Sequence, residues 1–200
     1  FLIGTTALAV RGQSFSYKIN LSNETEIQID CARRDFYNND RSLKGGTVMK
    51  VLIISSSPRK GGNSDVLCDQ FAKGAAETGH EVEKVNLRDK KLSPCRACYG
   101  CRENHVCVIK DDMAEIFPKL VAADVIVLAS PVYFYSLCSQ MKMLIDRCLV
   151  NHKAIVDKRF YFIITAADPQ HKAGNETLAA FRGFLRCLPD AQEVGVIYGT

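Results

Sequence analysis

Four cysteines, Cys95, Cys98, Cys101 and Cys107, stand at C-x2-C-x2-C-x5-C spacing. Thiolates are soft metal ligands. Two turns of C-x2-C bring three of them toward one centre, and the fourth closes the set. Iron–sulfur clusters use such compact runs, whereas zinc more often takes two separated pairs. A cluster is the first expectation; zinc and four reduced thiols without metal stay open beside it. The chain has 9 cysteines, and an odd count argues against a fully paired secreted framework. The dense run points to a reducing compartment and so to the cytoplasm. Cys31, Cys68, Cys138, Cys148 and Cys187 sit among apolar neighbours and read as small core residues. Arg96 and Arg102 would offset cluster charge, or are simply solvated. His105 is a rival ligand, although a loop histidine more commonly faces solvent. Asp111 and Asp112 fit helix capping better than metal binding.

The second candidate is Ser55-Ser-Ser-Pro-Arg-Lys-Gly-Gly-Asn-Ser64, between an apolar run and a helical period. It is neither G-x-G-x-x-G nor a Walker A loop, so a dinucleotide or nucleoside triphosphate fingerprint is absent. Hydroxyls, glycines and backbone donors feeding a helix N-terminus are how a phosphate monoester is held. Ser57, Asn63 and Ser64 are the candidate donors, with Arg59 adding charge. The alternative is a polar turn with an ordinary N-cap. The third candidate, Ser130-Pro131-Val132-Tyr133-Phe134-Tyr135-Ser136, is an aromatic loop after another apolar run. Alone it reads as core or dimer contact. Beside a phosphate cradle it suits a flat conjugated ring, and the pair of loops points to flavin mononucleotide (FMN). No G-x-S-x-G elbow occurs, so serine hydrolysis has no support.

These loops need a scaffold. Apolar runs at 50–56, 123–130 and 159–167 predict buried parallel strands, the more polar 81–87 an edge strand, and 193–198 a fifth strand. Between them, 64–78 places Leu67, Phe71 and Ala75 on one face, with Gly79 as a stop. Asp112 with Glu115 resembles a capping box. Residues 137–150 carry a stripe of Leu137, Met141, Leu144, Ile145, Cys148 and Leu149, with Lys142 and Asp146 paired at i, i+4. Asn175 reads as the N-cap of a helix lined by Leu178, Phe181, Leu185 and Leu188. Alternating strands and helices predict an α/β doubly wound sandwich with a five-stranded parallel sheet and helices on both faces. In such a sheet of order 2-1-3-4-5 the two candidate flavin loops meet at the switch point, at the carboxyl ends of neighbouring strands.

Composition sets outer bounds. The chain has 200 residues, 47% hydrophobic and 24% charged, which excludes a wholly disordered or collagen-like protein. A net charge of +4 without any basic block gives no support for nucleic acid. No apolar run is long enough to span a membrane.

Residues 48–150 resemble the iron–sulfur flavoproteins of anaerobes, within the flavodoxin-like NAD(P)H-dependent FMN reductases. The shared strings are Ser57-Pro-Arg, Asn63-Ser64, the four-cysteine loop running into Asp111-Asp112-Met113, Ala123-Asp124, Ser130-Pro-Val-Tyr133, and Lys142 with Asp146-Arg147. The resemblance implies that Ser57, Arg59, Asn63 and Ser64 hold the FMN phosphate. It implies that Pro131, Val132, Tyr133 and Phe134 contact the flavin ring, and that Cys95, Cys98, Cys101 and Cys107 hold a [4Fe–4S] cluster. It puts a third flavin loop near Thr165-Ala-Ala-Asp168. The implied function is an FMN-dependent oxidoreductase passing electrons from NAD(P)H or a reduced carrier to a small-molecule or protein acceptor, with the flavin supplying the chemistry and no catalytic side chain. The alternatives are a cluster-free reductase of FMN or quinones and a flavodoxin-type electron carrier, although such carriers are usually acidic. Exposed aromatics at the mouth of the site lead to the expectation of a homodimer or a higher symmetric oligomer.

Residues 1–48 lack a sustained period and read as an extension outside the domain 49–200. Lys44-Gly45-Gly46 precedes Met49 at the spacing of a bacterial ribosome-binding sequence (AAA-GGA-GGT), so 1–48 is expected to be translated upstream sequence. Ending on a strand, the chain is expected to lack a C-terminal helix.

Overall fold

The computed structural model describes residues 48–200 and, as backbone strands, 16–21 and 25–30. In chain order the strands are β1 (Ser16–Leu21), β2 (Thr25–Asp30), β3 (Lys50–Ser55), β4 (Glu81–Asn86), β5 (Val125–Tyr133), β6 (Ser136–Leu137), β7 (Arg159–Thr165) and β8 (Gln192–Gly199). The helices are α1 (Asn63–Glu77), α2 (Met113–Ala122), α3 (Ser139–Arg147) and α4 (Asn175–Leu185).

The central strands lie in the order β4-β3-β5-β7-β8, all parallel. This is the expected 2-1-3-4-5 arrangement. Val51 to Ile54 and Val125 to Ala129 are buried on both faces, which is why these runs are continuously apolar and do not alternate. Leu67 and Cys68 of α1 pack on Val51, Ile53, Val127 and Ile163. On the other face Ile116 and Leu120 of α2, Met141 and Leu144 of α3, and Phe181 and Leu185 of α4 share a core with Leu52, Ile54, Ile126 and Phe162. The Phe162 and Phe181 rings stack at 4.6 Å. Gly79 ends α1 at φ +86°, a conformation that costs glycine little.

The sheet also extends past the five expected strands. β1 and β2 form an antiparallel hairpin, and β2 pairs antiparallel with β8 from Ile27↔Gly199 to Asp30↔Val196. Tyr17, Ile19 and Leu21, and then Ile27 and Ile29, alternate with polar residues, a short period-two signal within the segment expected to lack a sustained period. Cys31 and Lys44-Gly45-Gly46 lie outside the described residues.

Four local expectations need correction. Asp112 has helical backbone (φ −65°, ψ −7°), so it cannot cap α2 in the way predicted. Its carboxylate accepts from Lys91 N, Glu115 turns to Lys90 and Lys119, and Asp111 Oδ1 takes the Met113 N–H at 3.2 Å. Asn175 is already helical, because the tight turn His171–Gly174 runs directly into α4 and puts Gly174 at the cap. Leu149 is exposed, since α3 gives way at Cys148 to a tighter turn that rotates it out of the stripe. Cys187 is exposed as well; Cys68, Cys138 and Cys148 are buried, as core residues should be. Burial pushes the Cys68 and Cys148 thiols up to about 12.

Candidate functional site

The loop after β3 opens on a run of serines. Ser55, Ser56 and Ser57 are all buried. Ser56 is tied to Ala129 of β5 twice, by its N–H at 3.0 Å and its Oγ at 2.7 Å. Ser57 Oγ donates to Arg59 O and accepts the Arg59 N–H, closing a tight turn. Gly61, at φ +69°, then aims its N–H at Asp65 Oδ2, 2.9 Å away. Arg59 and Asn63 are exposed on this loop. Ser64 is buried, and its Oγ lies 2.6 Å from Thr165 Oγ1 at the end of β7. The first and third candidate flavin loops are thereby joined directly.

Asp65 in the first turn of α1 is the element that sequence reasoning missed. Besides Gly61 it holds Lys84 at 2.6 Å and Arg88 at 3.2 Å. Burial alone would raise its pKa, but the hydrogen bonds from Lys84 and Gly61 and the two cationic neighbours outweigh burial and hold the carboxyl below its ordinary range. Lys84 is shared with Asp69 and Arg88 with Asp89, so Asp65 sits in an ion-pair network that fixes the start of α1.

The aromatic loop is a hairpin. β5 continues past the expected strand end, and Val132↔Leu137 and Tyr133↔Ser136 pair it with β6 around Phe134-Tyr135. Both turn residues are left-handed, φ 49° and 61°, which side chains with a Cβ adopt at a cost of about 1–2 kcal/mol each. Pro131 is buried and pairs in register with Thr165; Val132 is half-buried; Tyr133, Phe134 and Tyr135 are exposed. Below the hairpin, Ser130 Oγ accepts the Cys138 N–H, and the Cys138 thiol reaches Ser56 Oγ at 3.0 Å. This buried network fixes the hairpin against the serine loop.

The cysteine loop leaves β4 by the turn Leu87–Asp89 and returns at α2. Cys95 and Cys98 are exposed, Cys101 and Cys107 half-buried, and none is in a disulfide. Ala97 and Tyr99 are left-handed at φ 50° and 57°, and the Arg102 N–H closes a turn over Gly100 and Cys101 by donating to Tyr99 O at 3.0 Å. The Ala97 N–H comes within 3.5 Å of Cys95 Sγ. Arg102 stacks on Tyr99 at 3.9 Å, and His105 Nδ1 lies 3.2 Å from Val150 O. Four thiols on one accessible loop, two of them already receiving N–H donors (Cys107 from Arg147), are a donor set that suits a thiolate-ligated metal centre. Among the described residues, no three Cys, His, Asp or Glu side chains are gathered closely enough to hold a metal ion, so the loop would have to tighten around one.

The loops from β3, β5 and β7 leave the same rim of the sheet, as the pairs Ser55↔Ala129 and Pro131↔Thr165 require. The cysteine loop leaves that rim too, since Asn86 pairs with Ser55. A 2-1-3-4-5 parallel core with loops converging at its carboxyl edge defines a flavodoxin-like protein. Solved structures agree with that fold: an NAD(P)H:quinone oxidoreductase from Methanothermobacter marburgensis superimposes with a TM-score of 0.60 over 74% of this chain and 83% of its own, at 16% identity. A flavone reductase does so at 0.59, with 19% identity, over 74% and 53%. Within that fold, the chain belongs to the NADPH-dependent FMN reductase family, whose profile matches residues 49–197. An iron–sulfur flavoprotein of Methanocaldococcus jannaschii is 48% identical over 99 residues, 50% of this chain and 51% of the relative. One from Methanosarcina thermophila is 42% identical over 102 residues, 51% and 53%. The chain thus spans about half the length of these curated relatives.

Proposed function

We propose that the chain is an FMN-dependent oxidoreductase that takes electrons from NAD(P)H or a reduced carrier and delivers them, by way of a [4Fe–4S] cluster, to a small-molecule or protein acceptor. The observation that carries this reading is the junction of the serine loop, the aromatic hairpin and Thr165, with the cysteine loop leaving the same rim. The similarity to two iron–sulfur flavoproteins supports the cluster.

In this reading Ser57, Arg59, Asn63 and Ser64 hold the FMN phosphate at the start of α1. Arg59 and Asn63 reach it from the open side, and the Ser64–Thr165 contact keeps the buried side in place. Pro131, Val132, Tyr133 and Phe134 flank the isoalloxazine ring and shield one face from water. Cys95, Cys98, Cys101 and Cys107 are the cluster ligands. FMN when bound supplies hydride and single-electron chemistry, and the cluster single-electron exchange. No side chain is assigned an acid or base role. The exposed Phe134 and Tyr135 seat a second copy, giving a homodimer, and the thiol-rich loop suits a reducing, cytoplasmic setting.

Turnover is the test. FMN-loaded protein made without oxygen should oxidise NADPH beyond the equivalents that reduce its own cofactors only when an acceptor such as a quinone or viologen is present. FMN binding without oxidation of either NADPH or NADH would leave the reductase reading unsupported. One observation favours a second reading, a cluster-free reductase: the four thiols are not gathered. Iron and sulfide content separates the two.

A further inference from the structure

One side chain closes both ends of the cysteine loop. Arg147, at the end of α3, donates through Nη1 to Ser93 O at 2.8 Å and to Asp111 Oδ2 at 2.6 Å. Through Nη2 it donates to Asp111 Oδ1 at 3.0 Å and to Cys107 Sγ at 3.5 Å. The ion pair is buried, with 1% of the arginine side chain and 7% of the aspartate exposed. Asp111 is itself anchored to the loop's first residues, accepting the Ser93 N–H at 2.8 Å.

A guanidinium is suited to this position. Its planar fork meets the carboxylate with two parallel bonds and still has N–H groups for a carbonyl and a sulfur, which a lysine ammonium cannot do in one plane. Asp111 balances its charge, while its other bonds go to one residue before the cysteines and to the last cysteine itself. The sulfur of Cys107 therefore has a cationic donor in place before any metal arrives.

We propose that Arg147 is the positioning residue of the cysteine centre. It sets Cys107 as the fixed ligand on which Cys95, Cys98 and Cys101 close, and its hydrogen bond to that sulfur raises the centre's reduction potential. This rests on the reading of the four cysteines as ligands.

The full chain and its Arg147→Lys, Arg147→Met and Asp111→Asn variants are made without oxygen, and three quantities are measured. These are iron and sulfide per chain, midpoint potential, and hydrogen exchange of amides 95–110 in metal-free protein. In Arg147→Met, exchange in the loop rises roughly tenfold or more while β3 and β5 stay protected. Iron retention falls as well. Arg147→Lys keeps the charge and more of the iron, but with a lower potential than wild type. Asp111→Asn loosens the same amides and serves if Arg147→Met does not fold. Loop exchange at the wild-type rate in all variants overturns the proposal, as does an unchanged iron content and potential. Wild-type protein without iron or sulfide removes the cluster reading and the claim about potential with it, whereas loop exchange in the metal-free chain judges the positioning role separately.

Discussion

Ser64 and Thr165 show how two residues 101 positions apart become one site: their hydroxyls meet at 2.6 Å, and the phosphate loop and the loop after β7 follow from that contact. Ser64 was recognisable from the hydroxyl-rich run before a helix. Thr165 came only through the family resemblance, which puts a third flavin loop there, because by itself a threonine at a strand end looks like any other strand residue until the fold supplies its partner. Arg147 had a signal of its own. It lies three residues after Leu144 on an otherwise apolar stripe, and a cation there must be buried with a counter-charge. At this scale the expected effects fall on phosphate recognition. Arg59→Ala and Asn63→Ala each remove an exposed donor from the proposed FMN site. A hydrogen bond to a charged group contributes about 1.5–3 kcal/mol, so each change should weaken FMN binding about ten- to a hundredfold in a fluorescence titration. Unchanged affinity in both variants would refute the loop assignment.

The strand and helix pattern was legible wherever burial dictated it. Val51 to Ile54 and Val125 to Ala129 had to be strands buried on two faces, whereas their order came with the family resemblance, since right-handed crossovers fit other doubly wound orders as well. What escaped were features set by backbone geometry. The β5–β6 hairpin turns on Phe134 and Tyr135 in left-handed conformation, where sequence rules look for Asn-Gly. Tyr135→Gly should relieve about 1 kcal/mol of strain and raise the melting temperature by about 2–4 °C. An unchanged or lower melting temperature would show that the tyrosine side chain contributes more than its backbone costs. The start of α1 should be sensitive to acid. Asp65 is held below the ordinary value of 3.8, so its contribution is full above that pH and disappears as pH falls through the lower, folded value. Melting temperatures of wild type and Asp65→Asn should therefore differ most above about pH 4 and draw together as the pH falls below it. A gap that does not narrow on acidification would mean that the carboxylate's charge is not what holds the loop.

For the whole molecule, the sheet places all the proposed cofactor loops on one rim and leaves aromatic side chains there, Phe134 at 102% relative exposure. Covering such a tip needs a partner surface, and a second copy of the chain is expected to supply it. Sedimentation should show a homodimer of flavin-loaded protein at micromolar concentration, and Tyr135→Asp should shift it to monomer with flavin retained; a flavin-loaded monomer in the wild type would refute this. The central claim is that one rim carries both a flavin and an iron–sulfur centre. The direct measurement is the content of FMN, iron and acid-labile sulfide in protein made and purified without oxygen, with its absorption spectrum. The account predicts one FMN and one four-iron cluster per chain, with flavin bands lying over a broad iron–sulfur shoulder. In Cys98→Ser it predicts loss of most iron with FMN retained. Flavin bands alone, with neither iron nor sulfide, would contradict it and leave a cluster-free FMN reductase.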